Sequence, residues 1–368
     1  MISTPARANT PVDTVAGAIP FVVSDLETPP ANLTVTGYSA NALLLPNRAA
    51  NIALGGAGSN RTVTLTPAPG QTGVAPMTLV VSDGTNSASS VFPLLVVPSA
   101  QVLLYDPFDY ADGPLDTNSA FLWSHHSGTA GDCLVTNGQM RLSGAQTEDV
   151  AASLIGAPYS KTNGGTLYAS FRVRFLSLPK AAPEYFAAFL GGSSYRGRVY
   201  AGTTNSAAGR FGLFVANATD AAAVPVAVNL ATNTSYTVVA RYDISASATT
   251  LWVNPESEAD PGTSAADAQD AISISSYAFR QDSGLGATLL IDDVRVGLSF
   301  AAAASAATSL SIERNGRYVV LRWTDGSSLQ AASSLTGVFT DLSNAASPYT
   351  NLLTGPARFF RLAKCAPP

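Results

Sequence analysis

An alternation of apolar and polar residues runs through the middle of this 368-residue chain. Within residues 165–175, Leu167, Phe171 and Phe175 fall on one side of an extended backbone and Arg172 falls on the other. The same period of two recurs from residue 103 to residue 300, broken by Gly, Asn, Ser and Pro turns, with almost no helical periodicity. Such a pattern predicts half-buried β-strands, so we expect an all-β protein.

Charge is sparse in this chain, and this limits its partners. Charged residues make up 12% of the sequence and hydrophobic residues 46%, and this charged share is about half of the usual one. A polar but weakly charged surface is common in secreted all-β modules. The net charge of −5 argues against nucleic acid, which requires a basic surface. No apolar run approaches the roughly 20 residues of a membrane span.

Two segments with linker composition divide the chain. Residues 98–100 read Pro-Ser-Ala, and residues 301–308 are rich in Ala and Ser. We therefore predict three β-domains, over residues 1–98, 101–300 and 307–368.

The two ends of the central domain carry a family resemblance. It opens with LLYDPFDYADGPLD at residues 103–116 and closes with LLIDDVRVGLSF at residues 289–300. An opening strand with Asp and aromatic residues and a closing strand with an Asp pair resemble the concanavalin A-like lectin/glucanase jelly roll of the LamG-like kind. The resemblance implies a jelly roll whose first and last strands lie side by side, outside the cell.

The flanking domains resemble other secreted modules. The pattern F-x-V-x-D-x-E-T-P at residues 21–29, together with VSDG at 81–84, resembles bacterial Ig-like or cadherin-like repeats and implies an Ig-like sandwich. LRW at 321–323 and ARFFRL at 357–362 are similar to a short C-terminal β-domain of multidomain secreted bacterial proteins.

The residues give little support for catalysis. Glycosidases of the resembled fold use carboxylates at alternate positions of one strand, and the nearest match is Glu-Ser-Glu-Ala-Asp at 256–260. Pro255 and Pro261 flank this segment, so we predict a solvated loop. The only two histidines, His125 and His126, are adjacent and point to opposite faces of a strand. We expect His125 to be partly buried and His126 to be exposed.

Four aspartates are candidate calcium ligands. Asp106 and Asp109 belong to the opening motif, and Asp292 and Asp293 belong to the closing one. The resemblance implies a Ca²⁺ site where the first and last strands meet, and Ca²⁺ prefers several oxygen ligands. The alternative is that these aspartates cap turns or face water.

Four further residues are candidates for carbohydrate binding: Tyr195, Arg198, Tyr200 and Trp252. Exposed aromatic rings stack on sugar faces, and polar groups at their edges bond to the hydroxyls. The alternative for Trp252 is a place in the core, and for Tyr195 a place covering a turn.

These observations predict a non-catalytic, extracellular protein of a bacterial surface that binds a polysaccharide or surface glycan or mediates adhesion. One alternative is a structural subunit of a surface layer, fibre or appendage that self-associates through its β-modules. Another is a polysaccharide-degrading enzyme or its accessory module. We expect Cys133 and Cys365 to be unpaired thiols, because they lie far apart in sequence and lack a Cys-x-x-Cys context.

Overall fold

The computed structural model describes residues 1–163, 165–218, 223–304, 310–315, 317–322, 328–334, 337–342, 345, 349–352 and 357–363. The chain forms two compact units, Met1–Ala304 and Ser305–Pro368. Nearly all of the regular structure is β-strand, so the predicted all-β fold is confirmed. None of the helices in the described ranges is long and apolar enough to cross a lipid bilayer.

The larger unit begins with a β-sandwich. Its strands are β1 (Ala8–Pro11), β2 (Ala16–Val22), β3 (Thr34–Ser39), β4 (Ile52–Ala57), β5 (Asn60–Leu65), β6 (Gly73–Ser82) and β7 (Ser87–Val97). One sheet has the order β1-β7-β6-β3 and the other β2-β5-β4. Alternate residues of both sheets meet in one core, where Val63, Met77 and Leu79 are fully buried. Membership of the Ig-like family stays a prediction.

The hairpin between β6 and β7 turns within the VSDG segment at residues 81–84 and the two residues that follow it. The Asp83 carboxylate accepts hydrogen bonds from the backbone N–H groups of Asn86 and Thr85, each at 2.6 Å. These two bonds hold the pKa of Asp83 below its ordinary value. The Asp83 N–H in turn donates to the Asn86 carbonyl at 3.3 Å, which closes the turn.

The rest of the larger unit is a two-sheet jelly roll. Its strands are β8 (Val102–Asp106), β9 (Gly113–Pro114), β10 (Trp123–Ser127), β11 (Leu134–Thr136), β12 (Gln139–Ser143), β13 (Asp149–Ser153), β14 (Thr166–Phe175), β15 (Glu184–Gly191), β16 (Ser194–Gly202), β17 (Phe211–Ala216), β18 (Val224–Leu230), β19 (Ser235–Asp243), β20 (Ala248–Val253), β21 (Thr263–Ala266), β22 (Ser276–Phe279) and β23 (Thr288–Gly297). Two short helices accompany them, α1 (Leu115–Asn118) and α2 (Phe300–Ala304).

The strands form a seven-stranded and a nine-stranded sheet. The seven-stranded order is β10-β13-β22-β15-β16-β17-β18. The nine-stranded order is β21-β20-β19-β14-β23-β12-β11-β9, with β8 paired to β23. The first and last strands of the jelly roll therefore lie side by side as predicted, with Asp106 opposite Val294 and Tyr105 opposite Arg295.

Aromatic side chains fill the space between the two sheets. The Phe171 ring on β14 lies 6.0, 6.4 and 5.3 Å from the rings of Phe186, Tyr277 and Phe279 on the facing sheet. All four residues are less than 2% exposed. Trp123 extends the cluster, with its ring 5.6 Å from that of Phe279. Tilted and edge-on contacts of this kind, added to the buried area, hold the sheets together.

The first sandwich packs against the jelly roll inside the larger unit. Val74, Leu95 and Val97 belong to the same apolar cluster as Leu103 and Leu104. The smaller unit has its own strands: β24 (Ser311–Asn315), β25 (Tyr318–Arg322), β26 (Ser328–Ala332), β27 (Thr340–Asp341), β28 (Tyr349–Leu352) and β29 (Phe359–Ala363). They form two sheets, β24-β25-β28 and β27-β26-β29. The three-domain division predicted from the linkers stays a prediction.

Cys133 is a free thiol, as predicted. It is 1% exposed, and burial raises the pKa of the thiol well above its ordinary value, so it is unreactive. Cys365 lies outside the described residues.

Candidate functional site

Five side chains on three adjacent strands cluster on the seven-stranded sheet. Tyr185 lies on β15, Tyr195, Arg198 and Tyr200 lie on β16, and Arg280 directly follows β22. Strand β15 lies between β16 and β22, so the five residues are neighbours in space although they are distant in sequence. We call them the tyrosine–arginine cluster.

The cluster lies on the outer face of the sheet. Phe186 on β15 and Val199 on β16 belong to the core between the two sheets. Since successive side chains point to opposite faces, their sequence neighbours Tyr185, Arg198 and Tyr200 point outward. The tyrosine–arginine cluster is therefore on the side of the sheet that a ligand can approach.

An irregularity in the ladder brings Tyr195 onto the same face as Arg198. Residues three apart on a regular strand point to opposite faces. Here the pairing of β15 with β16 is irregular, and Gly197 adopts a left-handed φ of +61°, as in a β-bulge. A Cβ atom on Gly197 would also lie 2.9 Å from the Phe189 ring. Glycine at this position therefore permits the cluster to form.

Tyr185 is the centre of the cluster. The guanidinium carbons of Arg280 and Arg198 lie 4.4 and 4.7 Å from its ring centroid. The ring centroids of Tyr195 and Tyr200 lie 5.7 and 5.6 Å away. Each cation over an aromatic face contributes about 0.5–1 kcal/mol at an exposed site. These contacts fix the rings before any ligand arrives.

Three carboxylates surround Arg280. Its Nη1 bonds to Glu184, its Nη2 lies 2.7 Å from Asp282 Oδ2, and its Nε lies 3.9 Å from Asp149 Oδ2. Burial raises the pKa of Asp149, although Ser127 donates a hydrogen bond to its Oδ2 at 2.7 Å. The result is an aromatic patch edged with both donors and acceptors, the combination that sugar hydroxyls require.

His126 joins the cluster through Tyr195. Its Nε2 lies 2.8 Å from the Tyr195 hydroxyl, and the two rings meet edge-on at 6.0 Å. Burial, with smaller contributions from Tyr185 and Asp149, raises the pKa of Tyr195 to about 12, so this hydroxyl keeps its proton at physiological pH.

The expected exposures of the two histidines are wrong. His126 is the half-buried residue and His125 the exposed one. The pairing of β10 with β13 is irregular between His125 and Ser127. The irregularity follows His125, so a strict alternation counted from Trp123 fails at His126.

The structure separates Trp252 from the other predicted sugar-binding residues. Trp252 lies on β20 in the nine-stranded sheet and is 3% exposed. Its Nε1 donates to the Asp260 carbonyl at 2.9 Å, and Phe300 of α2 packs against its ring at 5.7 Å. The stacking role predicted for Trp252 is thus not available in this structure, because the ring is covered on its own sheet.

Tyr195, Arg198 and Tyr200 are brought together as a group. Tyr200 is 1% exposed, so it supports the ring of Tyr185 and offers no face to a ligand. Sequence reasoning missed Tyr185, Arg280 and His126. Tyr185 lies within the alternating stretch 103–300, next to the apolar Phe186, and that alternation was the available signal.

The predicted calcium ligand Asp106 accepts three hydrogen bonds inside the protein. It is fully buried and accepts from the Trp123 indole N–H at 2.6 Å, the Phe108 N–H at 2.7 Å and the Tyr110 hydroxyl at 3.0 Å. Burial raises the pKa of its carboxyl to about 7. Asp106 therefore organises the start of the jelly roll.

Asp292 and Asp293 both form ion pairs with the guanidinium of Arg172. Its Nη2 lies 2.8 Å from Asp292 Oδ2 and 2.6 Å from Asp293 Oδ2. Gln139 Nε2 also donates to Asp292 at 3.2 Å. The fourth predicted ligand, Asp109, is exposed by surface area, and partial desolvation together with the nearby charge of Asp292 raises its pKa.

Among the residues that the structure describes, no group of three His, Cys, Asp or Glu side chains is placed to hold a metal ion. Because Asp106 accepts internal hydrogen bonds and Arg172 pairs with Asp292 and Asp293, we expect the same melting midpoint in EDTA and in millimolar Ca²⁺, with Mg²⁺ as the control for ionic strength. A metal that binds only the folded state at a hundredfold excess over Kd adds about 2.7 kcal/mol of stability. A calcium-specific rise of several degrees would contradict this expectation.

The acidic segment 256–260 is a loop between β20 and β21, as predicted. The Asp260 carboxylate accepts from the backbone N–H groups of Glu256 and Ser257 at 2.6 and 3.3 Å. Glu258 accepts from the Tyr168 hydroxyl at 2.7 Å. The carboxylates are thus not aligned along one strand as in glycosidases of the resembled fold.

No family model and no curated protein matches this sequence. Solved structures that match part of this chain include the CBM2 module of Lactobacillus casei BL23 phage J-1 evolved Dit, at 9% identity over 53% of this chain and 94% of that chain, with a TM-score of 0.36. The VIP36 exoplasmic/lumenal domain in its Ca²⁺/Man-bound form matches at 11% identity over 54% and 90%, with a TM-score of 0.34. The Emp46p carbohydrate recognition domain in its potassium-bound form matches at 9% identity over 54% and 97%, with a TM-score of 0.33. Alignments at this level assign neither a ligand nor an activity to this chain.

Proposed function

We propose that the tyrosine–arginine cluster binds a glycan, and that the protein is a non-catalytic glycan-binding or adhesion protein outside the cell. The observation that carries the proposal is the arrangement around Tyr185, where tyrosine rings and arginines share one outer sheet face. Aromatic rings supply the apolar contact to a sugar face, and the flanking polar groups orient it.

The charge balance favours a neutral glycan. Arg280 is flanked by Asp149, Glu184 and Asp282, so its charge is compensated before a ligand binds. The side chains then act as hydrogen-bond donors and acceptors at fixed positions, and an added carboxylate would meet Asp149 and Glu184. We therefore expect hydroxyl-rich neutral sugars to bind more tightly than uronic acids.

The weak surface charge supports an extracellular location, and the looped carboxylates of 256–260 support a non-catalytic role. Both remain part of the proposal. The calcium dependence that the family resemblance implied is not part of it, because Arg172 occupies the carboxylates of Asp292 and Asp293.

Replacing Tyr195 by Ala is expected to weaken binding of the best ligand on a neutral-glycan array by about three- to tenfold. The loss corresponds to one aromatic contact of about 0.5–1.5 kcal/mol. The substitution also removes the contacts of Tyr195 with His126 and Tyr185, so the melting midpoint is measured to confirm that the variant is folded at the assay temperature. Tyr38→Ala is the matched control, because Tyr38 is 50% exposed on β3 of the first sandwich.

Two outcomes would reject the glycan proposal. One is the absence of binding by the wild-type protein to every neutral glycan at millimolar concentration. The other is an equal loss of binding in Tyr195→Ala and Tyr38→Ala, which would place the ligand elsewhere.

A structural subunit of a surface layer or fibre is the second candidate. The observation that favours it is β4, an edge strand whose last five residues are all exposed. An unprotected edge can pair with another copy of the chain. Size-exclusion chromatography with light scattering decides this case, because polymers at micromolar concentration would favour the structural subunit.

A further inference from the structure

Strand β7 of the first sandwich leaves part of one edge open. It pairs with β6 from Ser87 to Val96. On its other side, β1 pairs only with residues Leu94–Val97. Among the described strands, none covers that side of residues 87–93.

The hydrogen-bonding pattern between β6 and β7 shows which backbone groups of β7 point toward this edge. The Asp83 N–H donates to the Asn86 carbonyl, and hydrogen-bonded and non-hydrogen-bonded pairs alternate along an antiparallel ladder. Ser87, Ser89 and Val91 therefore fall in non-hydrogen-bonded pairs, and their N–H and C=O groups point toward the open edge. All three residues are exposed.

Two prolines support this assignment of the non-hydrogen-bonded pairs. Pro93 lies opposite Pro76 in the ladder. Neither has an N–H group, so both belong in a non-hydrogen-bonded pair, where the ladder with the neighbouring strand loses nothing. Pro93 also ends the open edge, because it has no N–H to offer there.

The open edge forms one wall of a groove inside the larger unit. The groove is lined by Thr4, Pro5, Arg7, residues 89–93, Ala120 and Phe121, and the Ser90 hydroxyl donates to the Thr4 hydroxyl at 3.0 Å. Phe121 comes from the jelly roll and is 60% exposed, with a left-handed φ of +63°. A non-glycine residue held in this conformation with an exposed aromatic ring is unusual, and the ring belongs to the wall that faces β7.

Arg7 gives the groove a positive charge that is not compensated. Its Nη1 donates to the Ser153 carbonyl at 2.6 Å. No ion pair of the described residues involves Arg7, and burial lowers the pKa of its guanidinium. A partly desolvated cation of this kind is stabilised most by a carboxylate that forms charge-assisted hydrogen bonds.

We propose that this groove binds an extended peptide segment of a partner protein, which adds a strand to the open edge of β7 and places a carboxylate side chain on Arg7. Backbone hydrogen bonds to Ser89 and Val91 supply the affinity, as in other strand-addition complexes. An apolar side chain of the peptide packs against Phe121. Because the outward groups span only residues 87–91, the added strand is about five residues long.

The test uses a fluorescein-labelled, amidated probe peptide, Thr-Val-Ser-Val-Glu, and the full chain, with binding measured by fluorescence anisotropy. We expect saturable binding, and about tenfold weaker binding of the Thr-Val-Ser-Val-Gln peptide, which lacks the charge-assisted bond. A peptide N-methylated at its three central residues has lost N–H groups on both sides of the strand and should bind at least tenfold more weakly.

Two variants separate the contributions of the edge and of the charge. Ser89→Pro removes an outward N–H and, like Pro93, leaves the ladder with β6 intact, so both peptides should bind at least tenfold more weakly. Arg7→Gln should abolish the difference between the Glu and Gln peptides. Arg48→Gln, at an exposed arginine outside the groove, is the matched control and should bind like the wild type. Melting midpoints confirm that each variant is folded.

Three results would overturn the proposal. The first is no binding of the Glu peptide at millimolar concentration. The second is unchanged binding in Ser89→Pro. The third is a wild-type dimer that Ser89→Pro converts to a monomer, which would make a second copy of this chain the occupant.

Discussion

Replacing Asp106 by Ala is expected to lower the free energy of unfolding of the larger unit by about 3–5 kcal/mol. The substitution leaves the buried donors of Trp123, Phe108 and Tyr110 without their acceptor. Water cannot replace it, because Asp106 and Trp123 are both fully buried. Urea unfolding followed by tryptophan fluorescence measures the loss.

Asp109→Ala is the matched control, since Asp109 is an exposed aspartate in the same motif. We expect it to change the free energy of unfolding by less than about 0.5 kcal/mol. Equal effects of the two substitutions would show that the hydrogen bonds to Asp106 do not organise this region.

The Asp106 carboxyl should also give the stability a distinct dependence on pH. Its pKa is about 7 in the folded protein and about 3.9 in the unfolded chain. Between these values the folded state binds a proton that the unfolded state releases, so the contribution of Asp106 to stability falls as the pH rises from about 4 to 7 and then levels off. Asp106→Asn has no titrating carboxyl at this position, so the slope should be absent from the variant and should appear as the difference in stability between wild type and variant over about pH 4 to 7.

Replacing Phe171 by Ala should cost about 3–5 kcal/mol, the usual range for an aromatic residue removed from a core. Phe171 lies on the nine-stranded sheet and contacts Phe186, Tyr277 and Phe279 of the facing sheet. Its loss leaves a cavity at the point where the two sheets meet. Chemical denaturation followed by circular dichroism measures the effect.

The neighbouring residue supplies the control for Phe171. Arg172 is on the same strand, but its side chain is 44% exposed on the outer face. Its ion pairs with Asp292 and Asp293 are partly solvated, so Arg172→Ala should cost no more than about 1 kcal/mol. A cost for Arg172→Ala as large as that for Phe171→Ala would contradict the assignment of core and outer faces on β14.

The two proposed sites have different origins in the fold. The tyrosine–arginine cluster forms within one sheet of the jelly roll, whereas the groove beside β7 requires the first sandwich and the jelly roll together. Glycan binding and peptide binding can therefore fail or succeed independently. Tyr195→Ala should leave the peptide affinity unchanged, and Ser89→Pro should leave the glycan affinity unchanged.

The strands were predictable because their signals are local. Alternation within residues 165–175 predicted β14 to within one residue of its observed ends. Flanking prolines marked the loop at 256–260. Each of these patterns follows from the geometry of a few consecutive residues.

The sites depended on contacts between residues that are distant in sequence. Tyr185 and Arg280 meet because β15 lies beside β22, and no local pattern specifies that order. Gly197 breaks the alternation and so brings Tyr195 to the face of Arg198. A single such irregularity reverses the predicted facing of every side chain beyond it on the strand.

The burial of aromatic rings and the ion pairs of carboxylates likewise depended on how the sheets assemble. Phe300 covers Trp252, and Arg172 bridges Asp292 and Asp293, so a predicted sugar contact and a predicted calcium site became internal contacts. The sequence alone sufficed for the all-β class, the main strands and the low surface charge. The partners of each aromatic ring and carboxylate were decided by sheet order, because only the folded chain brings distant side chains within bonding distance.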